Sequence, residues 1–135
     1  MEKMMDDRKF KVLLAEDDDV NSLTIRKLLQ HYGHEVDAVM DGAQALEMLR
    51  SNTYDVVLMD IRMPRMDGLE TTRHIRSDEE FRNQAEIPII ALTAHAMLGD
   101  RETFLAEGMS GYLSKPVELE ELLEVMDQVI PRRPD

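Results

Sequence analysis

The chain contains no cysteine among its 135 residues. Disulfides and thiolate metal sites are therefore excluded, which agrees with a reducing compartment. No apolar run approaches the roughly 20 residues needed to cross a bilayer. The first ten residues, MEKMMDDRKF, are charged and lack the apolar core of a secretory signal. A soluble, cytoplasmic protein without membrane insertion is the expectation. Basic residues are scarce: 16 Lys and Arg stand against 28 Asp and Glu, a net charge of −12. That charge repels phosphate backbones, so direct nucleic-acid binding is not expected. Most of it serves solubility, but several carboxylates could converge on a cation. The length suits one domain with a real core.

What is present is an alternation of two periods. Five apolar, β-branched runs predict strands over Lys11–Ala15, Glu35–Val39, Tyr54–Met59, Ile87–Leu92 and Gly111–Leu113. The first, third and fourth are nearly continuously apolar, as parallel strands covered on both faces should be. Glu35–Val39 alternates, which suits an edge. Helix-period runs lie between them. Ile25, Leu28, Leu29 and Tyr32 share one face of the first. Asp41 is placed to cap the second, with Gln44 completing a capping box. Leu69, Thr72 and Ile75 stripe the third, and Gly108 ends the fourth, which carries Phe104 and Leu105. Leu119, Leu122, Leu123 and Met126 make the last amphipathic. The polar stretch 77–86 reads as a loop or an irregular helix end.

Strict β-α alternation implies an α/β fold: a doubly wound parallel sheet, (βα)5. Five such units permit several strand orders. The flavodoxin-like order 2-1-3-4-5 would bring the ends of strands 1 and 3 together at a switch point, where such sheets place their ligands. The expected division is a flexible extension over 1–9, one domain over 10–130 and a tail over 131–135.

Three strand ends carry chemistry. Glu16-Asp17-Asp18-Asp19 follows the first strand, Asp60 follows the third and Lys115-Pro116 the fifth. An isolated acidic run is most often a solvated helix cap, but here it has partners at matching strand ends. Carboxylates sharing a crevice repel one another, and a hard cation such as Mg2+, which takes oxygen ligands at about 2.0–2.1 Å, relieves the repulsion. A carboxylate can also be a phosphoryl nucleophile. With a reference pKa of about 3.9 it needs no base. The obstacle is an anion attacking an anionic group, so catalysis is mostly positioning and neutralisation. Lys115 would be a compact cationic donor and Thr93, ending the fourth strand, a hydroxyl donor.

The motifs VLLAEDD, LMDIRMPRMDG, ALTA and GYLSKP, in that order over about residues 10–130, resemble the receiver domain of two-component response regulators. MDIRMPRMDG and ALTAHAM are closest in style to the receivers of hybrid histidine kinases, which tilts the expectation toward a phosphorelay. The resemblance implies strand order 2-1-3-4-5 and a Mg2+-dependent (or Mn2+-dependent) transfer of a phosphoryl group from a phosphohistidine to Asp60. It implies that Asp17, Asp60 and the backbone carbonyl of Arg62 hold the metal, with Glu16 acting through bound water. Glu stands at 16 where Asp is commoner. Lys115 and Thr93 would assist catalysis, and Lys115-Pro116 would be cis. Thr93 and Tyr112 match the switch pair, coupled to a face with Met97, Arg101 and Glu118. Arg62 and His95 are placed to tune phosphate lifetime. A histidine kinase or histidine-phosphotransfer domain would dock on Val20, Asn21, Thr24 and Pro116. The module is not expected to be an enzyme beyond its own phosphorylation and dephosphorylation. Its oligomeric state stays open, a monomer included.

Two other readings meet obstacles in the sequence. An aspartate-nucleophile phosphatase of haloacid dehalogenase type needs a second Asp two residues past the nucleophile, where Arg62 stands. A pseudo-receiver that only binds partners would be expected to lack Asp60, Lys115 or Thr93, and all are present. The other histidines read as minor: His31 and His34 at a helix end, where His is favourable, and His74 exposed on a helix. A stand-alone regulator and a receiver from a longer protein both fit the length.

Overall fold

The computed structural model describes residues 8–94, 97 and 99–131. Five parallel strands, β1 (Lys11–Ala15), β2 (Glu35–Val39), β3 (Val56–Asp60), β4 (Ile89–Thr93) and β5 (Gly111–Ser114), form one sheet in the order 2-1-3-4-5. They alternate with α1 (Asp19–His31), α2 (Gly42–Ser51), α3 (Gly68–Ser77), α4 (Asp100–Ala106) and α5 (Leu119–Val129). This is the flavodoxin-like arrangement. β3 and β4 each begin two residues later than the apolar runs suggest and continue to Asp60 and Thr93.

Successive strand residues face opposite sides, and here both sides are covered. Val12, Leu14, Leu58, Ile90 and Leu92 pack with Ile25 and Leu29 of α1 and Leu122 and Met126 of α5. Leu13, Ala15, Val57, Met59 and Ala91 pack on the other side with Leu46 and Leu49 of α2 and Ile75 of α3. No residue of β3 or β4 is left for solvent, which is why their sequences read as unbroken apolar runs. β2 lies at an edge and is only partly buried.

Local expectations mostly hold. Gln44 N–H donates to Asp41 Oδ1 at 2.8 Å, and Gln44 Oε1 accepts from Met40 N–H at 2.8 Å rather than from Asp41 N–H, a box shifted by one residue. Gly108 follows α4 with φ +103, the left-handed conformation that suits glycine. Tyr32 departs from the expected stripe: it caps α1 and is exposed. Leu105 is also exposed, while its neighbour Phe104 is buried.

The stretch after α3 is more than a loop. Glu79–Gln84 form a 3-10 helix that inserts Phe81 into the core at 1% exposure. One apolar residue among polar ones makes no period, so the pattern hid it. Arg76 fastens this region by donating to the carbonyls of Gly108, Ala85 and Ile87 at 2.7–2.8 Å. Arg8, from the expected extension, bonds Asp127 at 2.8 Å. Residues 1–7 and 132–135, most of the proposed extension and tail, lie outside the described residues.

His34 and His74 correct the sequence reading. His74 is half-buried and its Nδ1 lies 2.7 Å from Asp78 Oδ2. His34 is buried; its Nδ1 accepts from Phe10 N–H at 3.0 Å and its ring stacks on Phe10 at 5.2 Å. The hydrogen bond requires an unprotonated Nδ1. Burial, then nearby Lys9, lower its pKa below the usual 6.5. Below pH 6.5 the unfolded chain therefore takes a proton that the folded protein refuses, and stability falls as pH falls toward the folded pKa. His34→Asn keeps a neutral acceptor. Between about pH 7.5 and about pH 5.5 the wild type should lose stability relative to that variant, by at most about 1.4 kcal/mol per unit. Parallel urea-unfolding profiles for the two proteins would contradict the assignment.

Candidate functional site

The sheet order assembles the site. Ala15 pairs with Met59, so Glu16 and Asp17 leave β1 beside Asp60 at the end of β3. Thr93 pairs with Ser114, so Lys115 leaves β5 next to the same crevice. All of these residues stand at the C-terminal ends of strands, on both sides of the switch point between β1 and β3.

Side-chain oxygens of Glu16, Asp17 and Asp60 lie within 4.8 Å of one another, the one cluster of metal-type ligands among the described residues. Lys115 Nζ sits 3.0 Å from Glu16 Oε1 and 3.1 Å from Asp60 Oδ2. Glu16 and Asp60 are buried, whereas Asp17 is exposed at the crevice mouth. Thr93, buried at the end of β4, lines the same opening of about 410 Å³. A larger hollow of about 1100 Å³ lies at the other end of the sheet, near Phe10 and Pro88, and carries no such cluster.

The backbone holds these groups in place. Arg62 N–H donates to Asp60 Oδ1 at 3.2 Å and Asp18 N–H to Glu16 Oε2 at 3.1 Å. Lys115 N–H donates to the Thr93 carbonyl at 2.8 Å, and the Lys115-Pro116 peptide is cis. Gly68 N–H bonds the Ile61 carbonyl at 3.0 Å. A Cβ at Gly68 would stand 2.3 Å from the Asp60 carbonyl oxygen, so only glycine lets α3 start this close to β3. The acidic run divides its labour: Glu16 and Asp17 face the crevice, while Asp18 caps α1 by accepting from Val20 and Asn21 N–H at 2.9 and 3.0 Å.

The charges do not balance symmetrically. Burial, then Glu16, push Asp60 up to about 7, with Lys115 pulling the other way. Burial works against the Lys115 charge too, but Glu16 and Asp60 outweigh it and hold its pKa above the usual value. One ammonium thus serves two buried carboxylates, and Asp60 bears the deficit. An all-oxygen donor set with surplus negative charge suits a hard divalent cation such as Mg2+. Asp17 and Asp60 could bind one directly.

Most other expected residues fall nearby. Arg62 is exposed at the rim. Tyr112 pairs with Ala91, two residues before Thr93, so Tyr112 and Thr93 share a sheet face. Its half-buried ring lies 6.1 Å from Phe104 of α4. Met97, Arg101 and Glu118 are exposed. Val20 is 73% exposed and so is not a core residue; Thr24 and Pro116 are exposed and Asn21 half-buried. His95 lies outside the described residues. The sequence reading missed Arg65, which reaches back to Asp41; no local pattern links residues 24 apart.

The chain is similar to known proteins in sequence and fold. Residues 12–127 match the response regulator receiver domain family. The sensor protein GacS of Pseudomonas syringae pv. syringae is 42% identical over 116 residues, covering 86% of this chain and 13% of GacS. The chain thus spans a small fraction of that protein's length. The polar-differentiation response regulator DivK of Brucella ovis is 37% identical over 115 residues, covering 85% of this chain and 91% of DivK. The crystal structure of the receiver domain of sensor histidine kinase PA1611 from Pseudomonas aeruginosa PAO1 has a magnesium ion in its active site cleft. It is 42% identical, superposes with a TM-score of 0.79, and is covered to 98% by 90% of this chain.

Proposed function

This chain belongs to the response regulator receiver domain family of two-component and phosphorelay signalling, and we propose that Asp60 is the residue through which it takes part. The observation that carries this is the convergence of Asp60 with Asp17 and Glu16 within 4.8 Å, beside Lys115 at 3.1 Å. An Asp60 oxygen attacks the phosphorus of a phosphohistidine. The P–O bond forms as the P–N bond breaks, and the imidazole nitrogen leaves with the electron pair and takes a proton from water. Asp17, Asp60 and the Arg62 carbonyl would hold Mg2+ (or Mn2+), with Glu16 acting through bound water. When bound, the ion would supply positive charge to the phosphoryl oxygens. Lys115 and Thr93 donate to those oxygens, Thr93 and Tyr112 carry the switch, and Arg62 and His95 tune how long the acyl phosphate lasts. The domain catalyses its own phosphorylation and dephosphorylation in the cytoplasm. Incubation with acetyl phosphate and Mg2+ should add one phosphoryl mass, and a mass unchanged after prolonged incubation would overturn the reading.

The donor, a histidine kinase or histidine-phosphotransfer domain, docks over the start of α1. Val20 at 73% exposure and Leu23 at 44% offer apolar surface beside the site. Asn21, Thr24 and Pro116 border it, and the Thr24 hydroxyl is already bonded to the Val20 carbonyl at 2.9 Å. Thr24→Arg should therefore leave acetyl phosphate labelling nearly unchanged while slowing transfer from the protein donor about tenfold or more. Equal rates from the protein donor would move the docking surface elsewhere.

A further inference from the structure

The loop from Asp60 to Gly68 is tied at its tip to a helix outside the site. Asp41 is 1% exposed and caps α2, and its Oδ2 accepts from Arg65 Nε at 2.8 Å and lies 2.5 Å from Arg65 Nη2. Gly42 N–H donates to the Met66 carbonyl at 3.1 Å. A Cβ at Gly42 would stand 2.7 Å from that carbonyl oxygen and 1.8 Å from Thr71 Oγ1, so α2, the loop and α3 meet without room to spare. Arg65 has φ +67, the only positive φ of a non-glycine among the described residues. A side chain in that conformation is strained and persists when its surroundings over-determine it. Here the forked guanidinium contact to a buried carboxylate supplies the compensation, which a glycine could not.

We propose that Arg65 and Asp41 form a clamp that positions the loop for metal binding, making Arg65 a positioning residue of the phosphorylation site. The inference rests on the reading that Asp17, Asp60 and the Arg62 carbonyl hold Mg2+. Arg62 lies between the clamp and Asp60, and its N–H already orients Asp60 Oδ1 at 3.2 Å. A loop ordered during folding need not be ordered again when the ion arrives. Asp41 is outside the cluster of metal-type ligands, so its effect on the ion would be indirect.

The test follows Mg2+ titration and amide exchange of the ion-free chain by NMR. Arg65→Gly relaxes the backbone strain and removes the guanidinium; Asp41→Asn keeps the helix cap and removes the charge. Each should raise the Mg2+ Kd about fivefold, equivalent to about 1 kcal/mol, and speed exchange of the Gly42 amide. The double variant should be no weaker than either single one, because both remove one contact. Arg65→Lys, which keeps the charge but loses the fork, should fall between. Asp17→Ala serves as the reference and should weaken Mg2+ about tenfold or more. If Arg65→Gly leaves the Kd and Gly42 exchange unchanged while Asp17→Ala weakens binding, the clamp is refuted and the metal site stands. If Asp17→Ala also has no effect, the metal-site reading falls and the positioning role falls with it.

Discussion

Asp60→Asn should abolish phosphoryl labelling and at the same time stabilise the ion-free protein. The first effect is chemical: an amide has no oxygen anion to attack phosphorus. Undiminished labelling of the variant would sink the assignment. The second follows from where Asp60 sits. Burial and Glu16 push its pKa from 3.8 to about 7. Over that interval the folded protein keeps a proton that the unfolded chain has released, so this group's contribution to stability falls as pH rises. At neutral pH a buried negative charge beside Glu16 works against the fold. Asn keeps the shape without the charge. We expect a gain on the order of 2 kcal/mol at about pH 7.5 and a flatter stability profile from about pH 4 to about pH 7. A less stable variant at neutral pH would mean that the contact with Lys115 outweighs the cost of burial.

Lys115→Ala should have the opposite thermodynamic sign. Its ammonium, with the side chain 17% exposed, lies 3.0 and 3.1 Å from two buried carboxylates. Removing it leaves Glu16 and Asp60 facing each other uncompensated. Breaking a buried ion pair in this way costs about 3 kcal/mol. The same loss removes a cation that competes with Mg2+ for Asp60, so Mg2+ should bind as well as before or more tightly. Its stabilising effect in thermal unfolding should be larger in the variant than in the wild type. Phosphorylation or the conformational response should still be impaired, since the phosphoryl oxygens lose a donor. A variant that lost Mg2+ binding but kept phosphotransfer and response would refute the role given to Lys115.

The contrast between these variants bears on how the site works. Three acids and one lysine leave it short of positive charge, which favours a divalent cation before the incoming phosphoryl group adds more negative charge. The clamp at Arg65 acts on position rather than on charge. Thr24, by contrast, should affect only the encounter with a protein donor. Metal titration, small-molecule labelling and donor-dependent transfer therefore separate these three contributions.

The order of elements was written locally. Apolar runs without a polar face specify β3 and β4, because strands covered on both sides have no solvent face to mark. Caps such as Asp41 and the end of α4 at Gly108 use contacts a few residues apart, so neighbours in sequence suffice to place them. The resemblance carried Asp60, Asp17, Lys115 and Thr93 because their motifs lie next to the strands that deliver them. What the tertiary structure alone decided depends on residues far apart in the chain. Phe81 becomes core because the 3-10 helix that carries it packs against both α2 and α3. His34 becomes a buried neutral acceptor because β1 starts with its Phe10 neighbour against the turn after α1. Arg65 finds Asp41 only when β3 lies beside β1 and α2 packs against α3. The sharing of one ammonium between Glu16 and Asp60, and the resulting rise of the Asp60 pKa, likewise require three strand ends to meet. Local patterns record which face a residue turns to; burial and charge coupling are set by what the fold brings opposite it.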